Sequence, residues 1–218
     1  MLYHDLVGFD VTIWSPPHLM AVFGGVLSAL GLAQLWLHQK ETIESIIGYA
    51  FSVAAAFAFS QFALSEYFLE GPHFPGRFAT QPAYYAILTS LFMGFLLTTA
   101  IVQTRKLIAT SIMTIAFGFQ VIVWALWAPT THGFDFSFPF IMFVGSILLD
   151  LLIARRYSDT AIFNGSMLNG LLFSIIVSLT VGSLNSSQIF FSLAGSIAAS
   201  LLGVLLAKFV VRGGQAHV

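Results

Sequence analysis

AYYAILTSLFMGFLLTTAIVQT, residues 83–104, runs without a charged side chain and then meets Arg105 and Lys106. In lipid, backbone N–H and C=O groups must pair within the protein, so a bilayer is crossed by helices of about 20 mostly apolar residues. The stretch 83–104 is one such helix. The same pattern, an apolar run closed by basic or turn-forming residues, recurs along the whole chain. It predicts spans at 17–37, 43–68, 83–104, 107–127, 138–154, 160–184 and 188–211. The fold class read from this is all-α: a polytopic membrane protein with seven transmembrane helices in a single domain covering residues 1–218. Residues 1–16 read as an interfacial segment, with Leu2, Tyr3, Leu6, Phe9, Ile13 and Trp14 able to dip into the headgroup zone. They show neither a basic n-region nor a small-residue cleavage site, so no cleaved signal peptide is expected.

Composition agrees. The chain is 58% hydrophobic and 8% charged, whereas a soluble domain carries roughly 25% charged residues. Cysteine is absent, which removes disulfides, thiolate metal ligands, iron–sulfur clusters and covalently attached haem. A net charge of −1 offers nucleic acid nothing to bind.

The few charges sort by side. Lys40, Arg105, Lys106, Arg155 and Arg156 follow the first, third and fifth spans, and Lys208 and Arg212 close the seventh. Short basic loops remain in the cytoplasm. The reading is therefore a plasma or inner-membrane protein with its N-terminus outside and its C-terminus in the cytoplasm. On the outer side Arg77 is the only base, against Asp5, Asp10, Glu66, Glu70 and Asp135, a net charge of −4 from one base and five acids.

The outer segments also hold His4, His18, His73 and His132. Imidazole and carboxylate together suit copper, zinc, iron or manganese. His18 stands on the first turn of the first span, after Pro16 and Pro17, which fit a first turn because proline lacks the N–H that would be unpaired there. The candidate metal ligands are His18, His73, His132, Asp10, Glu70 and Asp135. Bland readings stand beside them: acids at helix ends can simply face water, Asp10 and Asp135 can cap turns, and His18 can bond a loop. No H-E-x-x-H motif is present. No lysine lies mid-span in the seventh helix, which argues against retinal.

Inside the membrane Asp150, in Leu148-Leu149-Asp150-Leu151-Leu152, is the single acid, and an intramembrane acid is a functional hypothesis by default. Its nearness to Arg155 and Arg156 makes pairing or snorkelling a competing reading. Gln61, Gln120, Asn164 and Asn169 are expected to bond between helices. The last two spans carry Gly165, Ser166, Gly170, Gly182, Gly195, Ser196, Ala199, Ser200 and Gly203. Such residues allow close helix approach, either to each other or to another subunit. The polar turn 185–187 makes these two spans antiparallel neighbours. Gly8-Phe9-Asp10 followed by Pro17-x-x-Met20-x-Val22 is echoed by Gly133-Phe134-Asp135 followed by Pro139-x-x-Met142-x-Val144. That echo suggests a parallel repeat of three helices, a linker helix and three helices.

The stretch from Ile112-Met113-Thr114 through Trp124-Ala125-Leu126 and Phe134-Asp135-Phe136 to Gly145-Ser146-Ile147-Leu148-Leu149-Asp150-Leu151 resembles the A subunit of the copper membrane monooxygenases. These are the particulate methane and ammonia monooxygenases. The match spans about residues 110–170, and no catalytic residue carries over. It does not include Trp14-Ser15-Pro16-Pro17-His18 or the Gly/Pro-rich loop 69–82. The resemblance implies a membrane oxidoreductase subunit within a larger complex, with copper as the metal to consider. Two other functions are compatible with the sequence: a transporter or channel for a small solute or cation, and a non-catalytic scaffold subunit. The expected partners are the lipid bilayer and either other membrane subunits or further copies of the chain.

Overall fold

The computed structural model describes residues 16–64, 82–127, 142–181 and 185–215. The described residues form seven helices and no strand. In chain order they are α1 (Pro16–Leu37), α2 (Ile43–Leu64), α3 (Pro82–Thr104), α4 (Ala109–Trp127), α5 (Met142–Arg155), α6 (Asp159–Val181) and α7 (Ser186–Gln215). Five of them, α1, α2, α3, α6 and α7, are long and apolar enough to cross a membrane. In α4 (19 residues) the apolar sequence continues through Trp127. As described, α5 has 14 residues, about 21 Å at the helical rise. Residues 1–15 of the expected interfacial segment 1–16, and residues 65–68, 138–141 and 182–184 of the expected spans, lie outside the described residues.

Helix starts are set by local chemistry. Thr42 and Ser45 cap α2 reciprocally: each hydroxyl accepts the other's backbone N–H, at 3.2 and 3.0 Å. Ser158 accepts the Ala161 N–H at 3.1 Å and starts α6. Asn185 accepts from the Gln188 N–H at 2.9 Å while the Gln188 side chain takes the Asn185 N–H at 3.0 Å. This is a capping box, and it starts α7 two residues before the expected position. At its other end α7 runs on to Gln215, past the expected 211. At the end of α3, Arg105 turns into the left-handed region with φ 54°. Its N–H closes the helix on the Ile101 carbonyl at 2.8 Å.

The core is the contact of α3 with α7. Ile87 lies over Gly195, Gly94 against Ser200, and Gly203 against the Leu91 carbonyl and the Phe95 amide. Residue numbers rise together on both helices, so the two run parallel. The Ser200 hydroxyl donates to the Ser90 carbonyl at 3.3 Å. Helix α6 packs antiparallel to α7, with Gly170 against Ser196 and Ser200 and with Ser174 and Ser192 sharing a 2.7 Å hydrogen bond. Helix α5 lies on α6 through Gly145 at Asn169 and Gly165 at Leu149. On the other flank α2 packs on α3, and α1 lies on α2 through Gly25 at the Phe59 ring and Trp36 at Gly48. Helix α4 fits between α2 and α5.

Among the described residues, Gly170, Gly195, Ser196, Ser200 and Gly203 of α6 and α7 meet each other or α3, and Gly165 meets α5. The large exposed side chains are apolar: Met20, Leu27, Leu179, Phe190 and Phe209 are 68–78% exposed. Such a surface suits lipid.

Gly203→Val should cost about 1–3 kcal/mol by overpacking or abolish folding, because its side chain meets α3 backbone. Gly24→Ala, where an added Cβ meets nothing within 4 Å, should leave stability unchanged. Thermal unfolding in a mild detergent reads both. Equal losses would contradict the α3–α7 register.

Candidate functional site

Alternation of helix direction defines two poles. The links 38–42, 105–108 and 156–158 and the end of α7 share one pole, and interactions join them there. Lys106 pairs with Glu41. The Arg105 guanidinium lies 5.8 Å from the Tyr157 ring centre. Lys208 Nζ is 2.9 Å from Asp159 Oδ1. Every charged residue among those described collects at this pole: seven bases and four acids, net +3. The starts of α1, α3, α5 and α7 and the ends of α2, α4 and α6 form the opposite pole.

Of the six expected metal ligands, Asp10, Glu70, His73, His132 and Asp135 lie outside the described residues. His18 falls on the first turn of α1, as expected, with its side chain outside the description. Among the described residues no group of three or more His, Cys, Asp or Glu side chains is gathered.

Asp150 has a different role from the ones its sequence position suggests. Its Oδ1 accepts the Ala109 N–H at 3.2 Å and its Oδ2 the Thr110 N–H at 2.8 Å. The residue preceding Ala109, Ile108, accepts the first helical bond of α4 from Ile112 at 3.0 Å. An isoleucine there has no side-chain acceptor for the free N–H groups of the first turn. Asp150 supplies one from α5, and its charge complements the positive end of the α4 dipole. Both carboxylate oxygens are engaged by backbone, which moves the start of α4 from the expected 107 to Ala109.

Deeper in the bundle Gln61, buried on α2, accepts from the Tyr85 hydroxyl at 3.0 Å and from Thr89 at 3.1 Å, both on α3. This is the interhelical bonding expected of it. Its Nε2 has no hydrogen-bond partner among the described residues, and neither do the buried hydroxyls of Ser90, Thr98, Ser166 and Ser196. The α3–α6–α7 interior is therefore polar as well as tightly packed.

Two clefts open at the charged pole. The smaller, about 160 Å³, lies between α1, α2 and α3, with Trp36, Tyr49, Gln103 and Lys106 among its walls. There the Tyr49 hydroxyl donates to Gln103 Oε1 at 2.8 Å. The larger, about 550 Å³, lies between α6 and α7 and is lined by Asp159, Phe163, Lys208 and Arg212 with apolar neighbours. The sequence signals the second cleft only faintly, as a lysine one turn before an arginine at the end of a membrane helix. Their partner, Asp159, lies some fifty residues away in the chain.

The chain matches no family model, no curated protein and no solved structure.

Asp150→Ala should lower stability by about 1–2 kcal/mol and speed amide exchange at Ala109 and Thr110. Unchanged exchange at those two amides would contradict the cap. At Glu41 the hydrogen bond and charge of Lys106 hold the carboxyl below its ordinary value of 4.5. A depressed folded-state pKa means that this pair contributes fully above the unfolded value and fades as pH falls through the lower folded one. A carbon-detected NMR titration should place the Glu41 midpoint below 4.5, and Lys106→Met should raise it. A midpoint that ignores Lys106→Met would contradict the pair.

Proposed function

We propose that the chain is a seven-span protein of the plasma or inner membrane, N-terminus outside, that binds a transition metal at its outer pole as a subunit of a membrane oxidoreductase. The ligands are drawn from His18, His73 and His132 with Asp10, Glu70 and Asp135. The observation that supports this reading is the polarity of the bundle. α1 starts, α2 ends, α3 starts, α4 ends and α5 starts at the pole away from the described charges. His18 lies on the first turn of α1, and the segments that contain the other five residues are attached to those helix ends. A net −4 of side-chain charge in the outer segments attracts a cation. The basic opposite pole supports its cytoplasmic placement. Copper is the first metal to test, on the partial monooxygenase resemblance, with zinc or iron next.

A repeat of three helices, a linker and three helices also belongs to this proposal. The α1–α2 and α5–α6 pairs, flanking the parallel α3 and α7, support it. Against it, α3 packs on α6 while α7 has no comparable contact with α2.

A second reading, passage of a small solute or cation, is favoured by the buried hydroxyls of Ser90, Thr98 and Ser196 between helices, which have no hydrogen-bond partner among the described residues. The backbone-close approach of Gly94 and Gly203 to the facing helices opposes an open path.

Elemental analysis of the gently solubilised protein tests the first reading. Near-stoichiometric copper, zinc or iron is expected in the wild type, falling by more than half in His18→Ala. Metal content unchanged by His18→Ala would remove His18 from the site. No metal in either protein would overturn the reading and bring passage forward.

A further inference from the structure

The cleft between α6 and α7 has two kinds of wall. One is apolar and open: Leu205 is 54% exposed and Phe209, between the two bases in sequence, is 77% exposed. The other is charged. Lys208 is nearly buried, its side chain 11% exposed, with its ammonium 4.5 Å from the Phe163 ring centre and 2.9 Å from Asp159 Oδ1. The Arg212 guanidinium is 3.9 Å from Asp159 Oδ2, longer than a hydrogen bond, and its side chain is 76% exposed. One carboxylate therefore faces two cations. Lys208 takes its short contact, and among the described residues the forked donors of Arg212 make no closer contact than 3.9 Å.

We propose that this cleft is a binding site for an anionic glycerophospholipid, its phosphate on Arg212, with buried Lys208 neutralising Asp159 behind it, and an acyl chain along Leu205 and Phe209. Guanidinium pairs phosphate through two parallel N–H···O bonds. Basic pockets between membrane helices at the cytoplasmic side are suited to such headgroups. A cleft of about 550 Å³ accommodates a headgroup with the first part of its chain. A soluble anion would use the charged wall alone. The exposed Leu205 and Phe209 beside it are what single out a lipid. The proposal requires the chain to lie in a bilayer and is independent of the outer metal.

Native mass spectrometry of the full-length protein, titrated with phosphatidylglycerol or phosphatidylcholine of identical acyl chains, tests it. The wild type is expected to retain phosphatidylglycerol preferentially. Arg212→Gln, on an exposed side chain that the fold does not need, should weaken that preference by about tenfold, the scale of one charge-assisted pair. Phe209→Ala should weaken retention of phosphatidylglycerol, and Arg156→Gln, outside the cleft, should change nothing. Equal retention of the two lipids by the wild type would overturn the proposal, as would equal losses in Arg212→Gln and Arg156→Gln, which indicate diffuse charge. Inorganic phosphate should not raise the melting temperature. If it protects as well as phosphatidylglycerol does, the cleft takes free phosphate and the lipid assignment fails.

Discussion

The contact of Gly94 and Gly203 with the facing helix backbones is the constraint around which the bundle is arranged. Lipid tails are as apolar as leucine side chains, so burying apolar surface does little to hold membrane helices together. Close packing and hydrogen bonds must do it, and close packing needs backbones without intervening side chains. Helices α3 and α7, far apart in the chain, meet in this way and run parallel. Helix α6 can then seat Gly170 on Ser196 and Ser200 and touch both. The remaining helices follow outward on each flank, α5 on α6 and α2 with α1 on α3, with α4 joining the flanks.

The second organising influence is electrostatic. The free N–H groups at helix starts must be satisfied where water is scarce. α2, α6 and α7 satisfy theirs locally, with Thr42, Ser158 and Asn185. α4 cannot, because Ile108 precedes it, and it borrows Asp150 from α5. The same bond that satisfies the helix start fixes α5 beside α4. Together with the Lys106–Glu41 and Lys208–Asp159 pairs it ties the links of one pole into a charged rim. The opposite pole is joined to the segments that carry His4, His73, His132 and the remaining acids.

The helices were legible in the sequence because each is a long, mostly apolar run, and both lipid and helical backbone pairing demand such runs. The antiparallel pairing of α6 and α7 was legible from the tight polar turn at 185–187, and their small residues announced close packing. Which surface those residues met was not, since Gly203 finds its partner more than a hundred residues earlier in α3. The role of Asp150 was hidden for the same reason. Its local neighbours Arg155 and Arg156 suggested an ion pair, while the deciding feature, an isoleucine where a capping residue belongs, sits forty-two positions upstream. His18 was placed on a first turn by Pro16 and Pro17, and α1 starts there. Residue spacing alone names no partner for its side chain.

The proposed sidedness joins the basic rim, the proposed lipid cleft and the histidine-bearing segments into one account, and thiol labelling in intact cells tests it most directly. The chain has no cysteine, so Thr131→Cys and Gln39→Cys each report a single position. The account predicts that a membrane-impermeant maleimide labels Thr131→Cys in intact cells and Gln39→Cys only after permeabilisation. Labelling of both from the same side, or the reverse pattern, would contradict it.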